Sequence, residues 1–169
     1  MPEQKIQIKG GCTVKEYTGD KIRNVAIVGH GGAGTTSLTE ALLYRSGAIS
    51  RMCKVEDGQT TTDFEPEEIK RGVSVSATLA PVEWRDVKIN FIDTPGFADF
   101  VAEVKGAFRA VDSVLIVVSA TSGVQIGTEQ CWKLAEEAGL PRLIFVNKMD
   151  RENADYDNIL DNLRAKIGK

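Results

Sequence analysis

The sequence predicts an α/β protein of three layers, with helices on both faces of a mostly parallel sheet. Three observations carry that expectation. Short apolar runs at 25–28, 114–118 and 143–146 read as strands buried on both faces. Stretches with helical spacing lie between them, and alternating strands and helices imply parallel pairing. Each of the three runs then ends in glycine-rich or polar residues, where sheets of this kind bind ligands.

Composition narrows the class. A chain of 169 residues is expected to form one domain, and its 42% hydrophobic content supports a core without disulfides. Lys and Arg total 21 against 24 Asp and Glu, a net charge of −3 that argues against broad attraction to nucleic-acid backbones. Cys12, Cys53 and Cys131 are far apart and read as free thiols in a reducing compartment. No apolar run follows the charged N-terminus, and the longest apolar stretch is Val114 to Val118, too short to span a bilayer. A cytoplasmic location is expected.

The elements follow in order. Lys5 to Lys9 alternates like a short edge strand, within an N-terminal extension (residues 1–20) that has no assigned role. Val25-Ala26-Ile27-Val28 is the first strand of the domain proper. Leu38, Ala41, Leu42 and Arg45 then follow one helical face, closed by Gly47. Glu65, Glu67, Glu68, Lys70 and Arg71 read first as a solvated helical turn and second as a mobile switch surface, and Val73-Ser74-Val75-Ser76 alternates as a strand would. A hairpin around Arg85-Asp86 leads into Val87 to Ile92. Phe100, Val101, Val104, Phe108 and Val111 keep helical spacing. So do Trp132, Ala135 and Ala138, stopped by Gly139 and Pro141. Ile159, Leu160, Leu163 and Ile167 form a last amphipathic helix. Trp84 and Trp132 are expected in the core.

Three signatures occupy the strand ends: Gly29-His30-Gly31-Gly32-Ala33-Gly34-Thr35-Thr36, Asp93-Thr94-Pro95-Gly96, and Asn147-Lys148-Met149-Asp150. The first admits two ligand readings. Gly29-x-Gly31-x-x-Gly34 matches the dinucleotide fingerprint, whereas Gly29, Gly34 and Thr36 match the phosphate loop GxxxxGK[ST] with Thr35 at the lysine position. A dinucleotide site needs an acid about 20 residues on at the end of a second strand. Glu56 and Asp57 have the spacing, but the residues before them do not read as a strand. The triphosphate reading employs all three signatures. Asp93 would hold a magnesium ion through water, and the Gly96 N–H would meet the terminal phosphate. The Asp150 carboxylate can accept from both N1–H and the exocyclic amine of guanine, while Lys148 covers the base and Asn147 braces the loop. That combination favours a guanine nucleotide.

With these segments, together with Arg71-Gly72-Val73-Ser74-Val75 and Arg151, the sequence resembles the GTP-binding domain of translational GTPases of the elongation factor G type. The resemblance runs from about residue 21 to residue 169. It implies a P-loop NTPase fold, three-layer α/β/α, as a partial GTP-binding domain whose last strand and helix are missing. Implied cofactors are GTP or GDP with Mg2+. Implied nucleotide contacts are Gly29, His30, Gly31, Gly32, Ala33, Gly34, Thr35, Thr36 and Ser37, then Asp93, Thr94, Pro95, Gly96 and Phe97, then Asn147, Lys148, Met149 and Asp150. Thr36, Ser74 and Asp93 are the implied metal ligands, Ser74 standing where the family has a threonine in its first switch. The implied partner is the ribosome, through domains absent from this chain, with no membrane and no sequence-specific nucleic-acid contact by this part.

Two departures bear on turnover. Thr35 replaces the lysine that reaches the outer phosphates, a charged hydrogen bond worth roughly 1.5–3 kcal/mol. Phe97 replaces the histidine that orients the attacking water in elongation factor G, and loss of such a group costs about 10²–10⁴ in rate. A weakly active or non-hydrolysing binding module is therefore the second expectation, and a dinucleotide-binding enzyme the third.

Overall fold

The computed structural model describes residues 5–7 and 13–168. Strand β1 (Lys5–Gln7) pairs antiparallel with β2 (Thr13–Lys15) in a separate two-stranded sheet, so the alternating start of the chain is no edge of the main sheet. Ile8 and Lys9 of the expected strand lie outside the described residues, as does Cys12.

The main sheet is built from β3 (Ile22–Gly29), β4 (Thr78–Trp84), β5 (Val87–Asp93), β6 (Ser113–Ser119) and β7 (Arg142–Asn147), in the order β4–β5–β3–β6–β7. β3 pairs in parallel with both β5 and β6, and β6 with β7; only β4 runs antiparallel. The β4–β5 hairpin turns on Arg85 and Asp86, both with positive φ (47° and 62°), the type I′ geometry that matches strand twist.

Helices cover both faces. Helix α1 (Thr35–Ser46) packs Leu43 onto Ile27, Phe91 and Val117. On the other face α3 (Val101–Phe108), α4 (Ile126–Glu137) and α5 (Tyr156–Lys166) bury Val104, Phe108, Cys131, Ala135, Ile159 and Leu163 against Ala26, Val28, Ile116 and Val118. The short α2 (Pro66–Arg71) lies outside these layers. The Asp155 carboxylate caps α5 by accepting from the Asn158 N–H at 3.1 Å.

Several expectations need correction. Val73 to Ser76 forms no strand; the first arm of the hairpin is β4, and Val75 and Ser76 spend their N–H groups on a side chain. β7 is buried on one face only. Ile144 and Val146 pack on the core, while Leu143 is 66% exposed because β7 ends the sheet and α1 lies over the strands at its other side. Trp84, at the tip of β4, is 44% exposed rather than core. Trp132 packs against the core with the Arg142 guanidinium 4.2 Å from its ring centre. Helix α3 is shorter than its spacing predicts: Phe100 falls in a 3-10 turn before it and Val111 follows it, though Val111 remains buried. Glu68 is not solvated but 1% exposed. Among the described residues no helix is long and apolar enough to cross a membrane.

Candidate functional site

The parallel strands β3, β5 and β7 end at one rim of the sheet, and β3 hands the chain directly to α1. The turn between them is forced by its residues. Gly34 precedes α1 at φ 95°, a left-handed conformation, and any Cβ there would collide with the Asn147 amide nitrogen. The loop closes with the Ala33 N–H donating to the His30 carbonyl at 2.9 Å. A glycine-rich turn before a helix N-terminus leaves several N–H groups free to converge on an anion.

The second signature is pinned to the first. The Thr94 N–H and hydroxyl both donate to the Ile27 carbonyl, at 3.2 and 2.9 Å. Gly96 then packs so closely on the glycine loop that a Cβ would lie 2.8 Å from the Gly31 amide nitrogen. The Phe97 ring, 45% exposed, lies over Gly31, whose own Cβ would meet it at 2.9 Å. The third signature is tied to the same loop. The Asn147 amide donates to the Ala33 carbonyl at 3.0 Å, and Lys148 Nζ to the Gly32 carbonyl at 2.7 Å. Lys148 holds a positive φ of 61°, with its N–H donating to Asn147 Oδ1 at 2.9 Å.

These contacts enclose a cleft of about 380 Å³. Its walls include His30, Gly31, Gly32, Gly34, Thr35, Thr36 and Ser37 from the glycine loop, Ser74, then Gly96 and Phe97, and Asn147, Lys148 and Asp150. Ala33, Asp93 and Thr94 are buried beneath it, Gly29 and Pro95 line a small apolar gap behind Phe97, and Met149 points outward. His30 is half-buried, with Nδ1 3.3 Å from the Thr128 hydroxyl on α4. Burial and the nearby Lys148 charge hold its pKa below the usual value.

Sequence reasoning gave Asp63 and Thr62 no contact at the site, and weighed Glu56 only as the acid of a dinucleotide site. Asp63 and Glu56 line the cleft, and Thr62 donates to Asp93 Oδ2 at 3.0 Å. Glu56 sits on a 3-10 turn rather than after a strand, which removes the support for a dinucleotide fingerprint. Ser74 Oγ donates to Asp63 Oδ1 at 2.7 Å and lies 3.0 Å from Thr36 Oγ1. Burial drives the Asp93 pKa up to about 7, with the Asp63 charge adding to the effect and the Thr62 hydroxyl opposing it. Asp63 is raised as well, by burial first. Asp93 Oδ1 is buried with no partner among the described residues. Two reluctant carboxylates, one of them with an orphaned oxygen, and two close hydroxyls form a hard, oxygen-only donor set, which fits a divalent cation such as magnesium.

The fold and cleft define a P-loop type α/β nucleotide-binding domain. Residues 20–169 match the family described as the elongation factor Tu GTP binding domain, and the chain belongs to that family. It is 43% identical over 148 residues to elongation factor G 2 of Treponema pallidum, covering 88% of this chain and 22% of that protein. It is 40% identical over 150 residues to the mitochondrial ribosome-releasing factor 2 of Yarrowia lipolytica, covering 89% and 19%. A solved structure from Thermus thermophilus superimposes with a TM-score of 0.85 at 47% identity, covering 89% of this chain and 23% of that one. The domain is thus of the elongation-factor-G-like translational GTPase type, and the chain spans about a fifth of the length of these relatives.

Proposed function

We propose that this chain binds GTP and GDP with Mg2+ as the nucleotide switch of an elongation-factor-G-like protein that acts on the ribosome in the cytoplasm. The observation that carries the reading is the pair of bonds from Asn147 to Ala33 and from Lys148 to Gly32. They set the base-reading segment against the phosphate-binding turn, with Asp150 on the wall of the same cleft. Backbone N–H groups of the glycine loop other than that of Ala33 cradle the phosphates. Thr36, Ser74 and Asp93 hold the cation, whose charge offsets that of the phosphate oxygens. Asp150 selects guanine by accepting from two neighbouring N–H donors. The test is Asp150→Asn. It is expected to weaken GDP binding and to favour xanthosine diphosphate, whose C2 carbonyl accepts from the amide. Equal loss of both ligands would overturn the base-reading role.

A second reading, slow or absent hydrolysis, has its own support. Thr35 is buried and carries no charge, so the outer phosphates lose a cation that the phosphate-loop pattern supplies. Phe97 places an apolar ring against Gly31 at the mouth of the cleft, where it offers no hydrogen bond to a water. Binding without fast turnover fits both features.

A further inference from the structure

The segment that carries Ser74 is bracketed by one residue. The main-chain carbonyl of Glu68 accepts from the Gly72 and Val73 N–H groups, at 2.7 and 3.2 Å. Its side-chain Oε1 accepts from the Val75 and Ser76 N–H groups, at 2.9 and 3.2 Å. Ser74 therefore lies between two pairs of amides that all end on Glu68. The second carboxylate oxygen accepts from the Glu65 N–H at 3.2 Å, closing a capping box at the start of α2. Helix capping accounts for that last bond alone. It does not account for a 1% exposed carboxylate reaching seven and eight residues ahead to gather two N–H groups beyond Ser74.

The geometry points to Glu68 as a positioning residue: its carboxylate holds the 72–76 turn in the shape that delivers the Ser74 hydroxyl to Thr36 and Asp63. The inference rests on the proposed role of Ser74 in holding the cation beside the terminal phosphate. A buried carboxylate that receives three N–H bonds is well compensated, and bonds to a charged acceptor are among the stronger ones a loop can make. Without them the turn samples other shapes, and Ser74 is in place for only a fraction of the time. Apparent affinity for a ligand that needs Ser74 falls by that fraction. GDP lacks the terminal phosphate through which switch segments are ordered, so its binding does not depend on the turn.

The experiment measures, by calorimetry with excess Mg2+, the affinities of the full chain for GDP and for a non-hydrolysable GTP analogue. Four proteins are compared: unmodified, Ser74→Ala, Glu68→Ala and Glu68→Gln. Glu68→Ala removes all three side-chain bonds and is expected to lower analogue affinity by about tenfold while GDP affinity stays within about twofold. Glu68→Gln keeps one oxygen acceptor but places an amide nitrogen against an N–H, and should lower the analogue affinity by about threefold. If Glu68→Ala does not fold, the Gln variant decides. Loss of GDP and analogue binding together, or an unchanged analogue-to-GDP ratio in the Gln variant, overturns the positioning role. An unchanged ratio in Ser74→Ala overturns the cation role of Ser74 and the positioning role with it. A lowered ratio in Ser74→Ala with no change in either Glu68 variant overturns the positioning role alone.

Discussion

Two walls of the cleft are built by different means. The glycine loop is continuous with β3, which is paired in parallel on both sides at the centre of the sheet, and with α1. The wall from residue 53 to residue 77 has no such support. Among its described residues, backbone bonds outside α2 reach no further than five positions along the chain. It is instead tied down by carboxylates: Glu40 accepts from the Cys53 and Thr61 N–H groups, Glu68 from Val75 and Ser76, and Glu103 from Ala77. Glu40 and Glu68 are each 1% exposed. A sheet ladder fixes its loop in every state of the molecule, whereas a wall held by a few side chains can be released as a unit. On the proposed function, the constant contacts of a nucleotide would fall to one wall and the state-dependent ones to the other.

The largest expected effect comes from changing the fixed wall and the Phe97 position that packs on it at once. Thr35→Lys adds a cation to the fixed wall, and Phe97→His supplies a group able to orient water. The unmodified chain is expected to hydrolyse GTP barely above the uncatalysed rate. The double variant should gain at least about 10²-fold in single-turnover hydrolysis, more than the two single gains combined, because both groups act on one transition state. Rapid hydrolysis by the unmodified chain would show that neither departure limits turnover.

Thr35→Lys alone tests the fixed wall. Affinity for GDP and GTP is expected to rise by about tenfold or more, and the gain should shrink at high salt. Calorimetry showing no change would mean that the backbone N–H groups of the loop already saturate the phosphates.

The third effect concerns pH in metal-free, nucleotide-free protein. Asp93 has a folded pKa of about 7 against an ordinary value of 3.8, so the folded chain binds this proton more tightly than the unfolded one. Stability supplied by the protonated form is complete below pH 3.8 and is lost as pH rises to about 7. Asp63 is shifted in the same direction. Thermal unfolding of Asp93→Asn should be flatter than that of the unmodified chain across this range, and magnesium should restore stability at the upper end. Equal pH profiles for the two proteins would place the titration elsewhere.

The smallest effect separates the walls directly. Glu40→Gln leaves the glycine loop and Glu68 intact but weakens the start of the carboxylate-held wall. Hydrogen exchange at the Cys53 and Thr61 amides is expected to quicken, while amides of β3 keep their protection. Uniform acceleration in both regions would erase the distinction between them.

The fixed wall was legible in the sequence because its determinants are local. Glycines, an apolar strand and the following helix are adjacent in the chain, and the three strand-end signatures declare the rim they share. The other wall was legible only at Ser74, and there only through the family resemblance. Glu68 sits in a charged run that reads as a solvated turn, and only the fold shows its carboxylate reaching Val75 and Ser76. Val73 to Ser76 alternates like a strand, yet the Val75 and Ser76 amides are claimed by that carboxylate and the Val73 amide by the Glu68 main-chain carbonyl. Asp63 meets Ser74 across eleven positions and Thr62 meets Asp93 across thirty-one, separations at which no periodicity signals a contact. β7 misled for a related reason. Four apolar residues in a row read alike whether the second face is covered or bare.

The two tryptophans settle how the molecule is best watched at the bench. Trp84 is exposed at the tip of the hairpin, and Trp132 lies under Arg142 beside Ile144 on the far side of the sheet from α1. Neither lines the cleft. Intrinsic emission will therefore follow the loss of the folded state, above all through Trp132, and stay nearly silent when a nucleotide arrives. Occupancy of this domain has to be read from a label on the ligand or from heat.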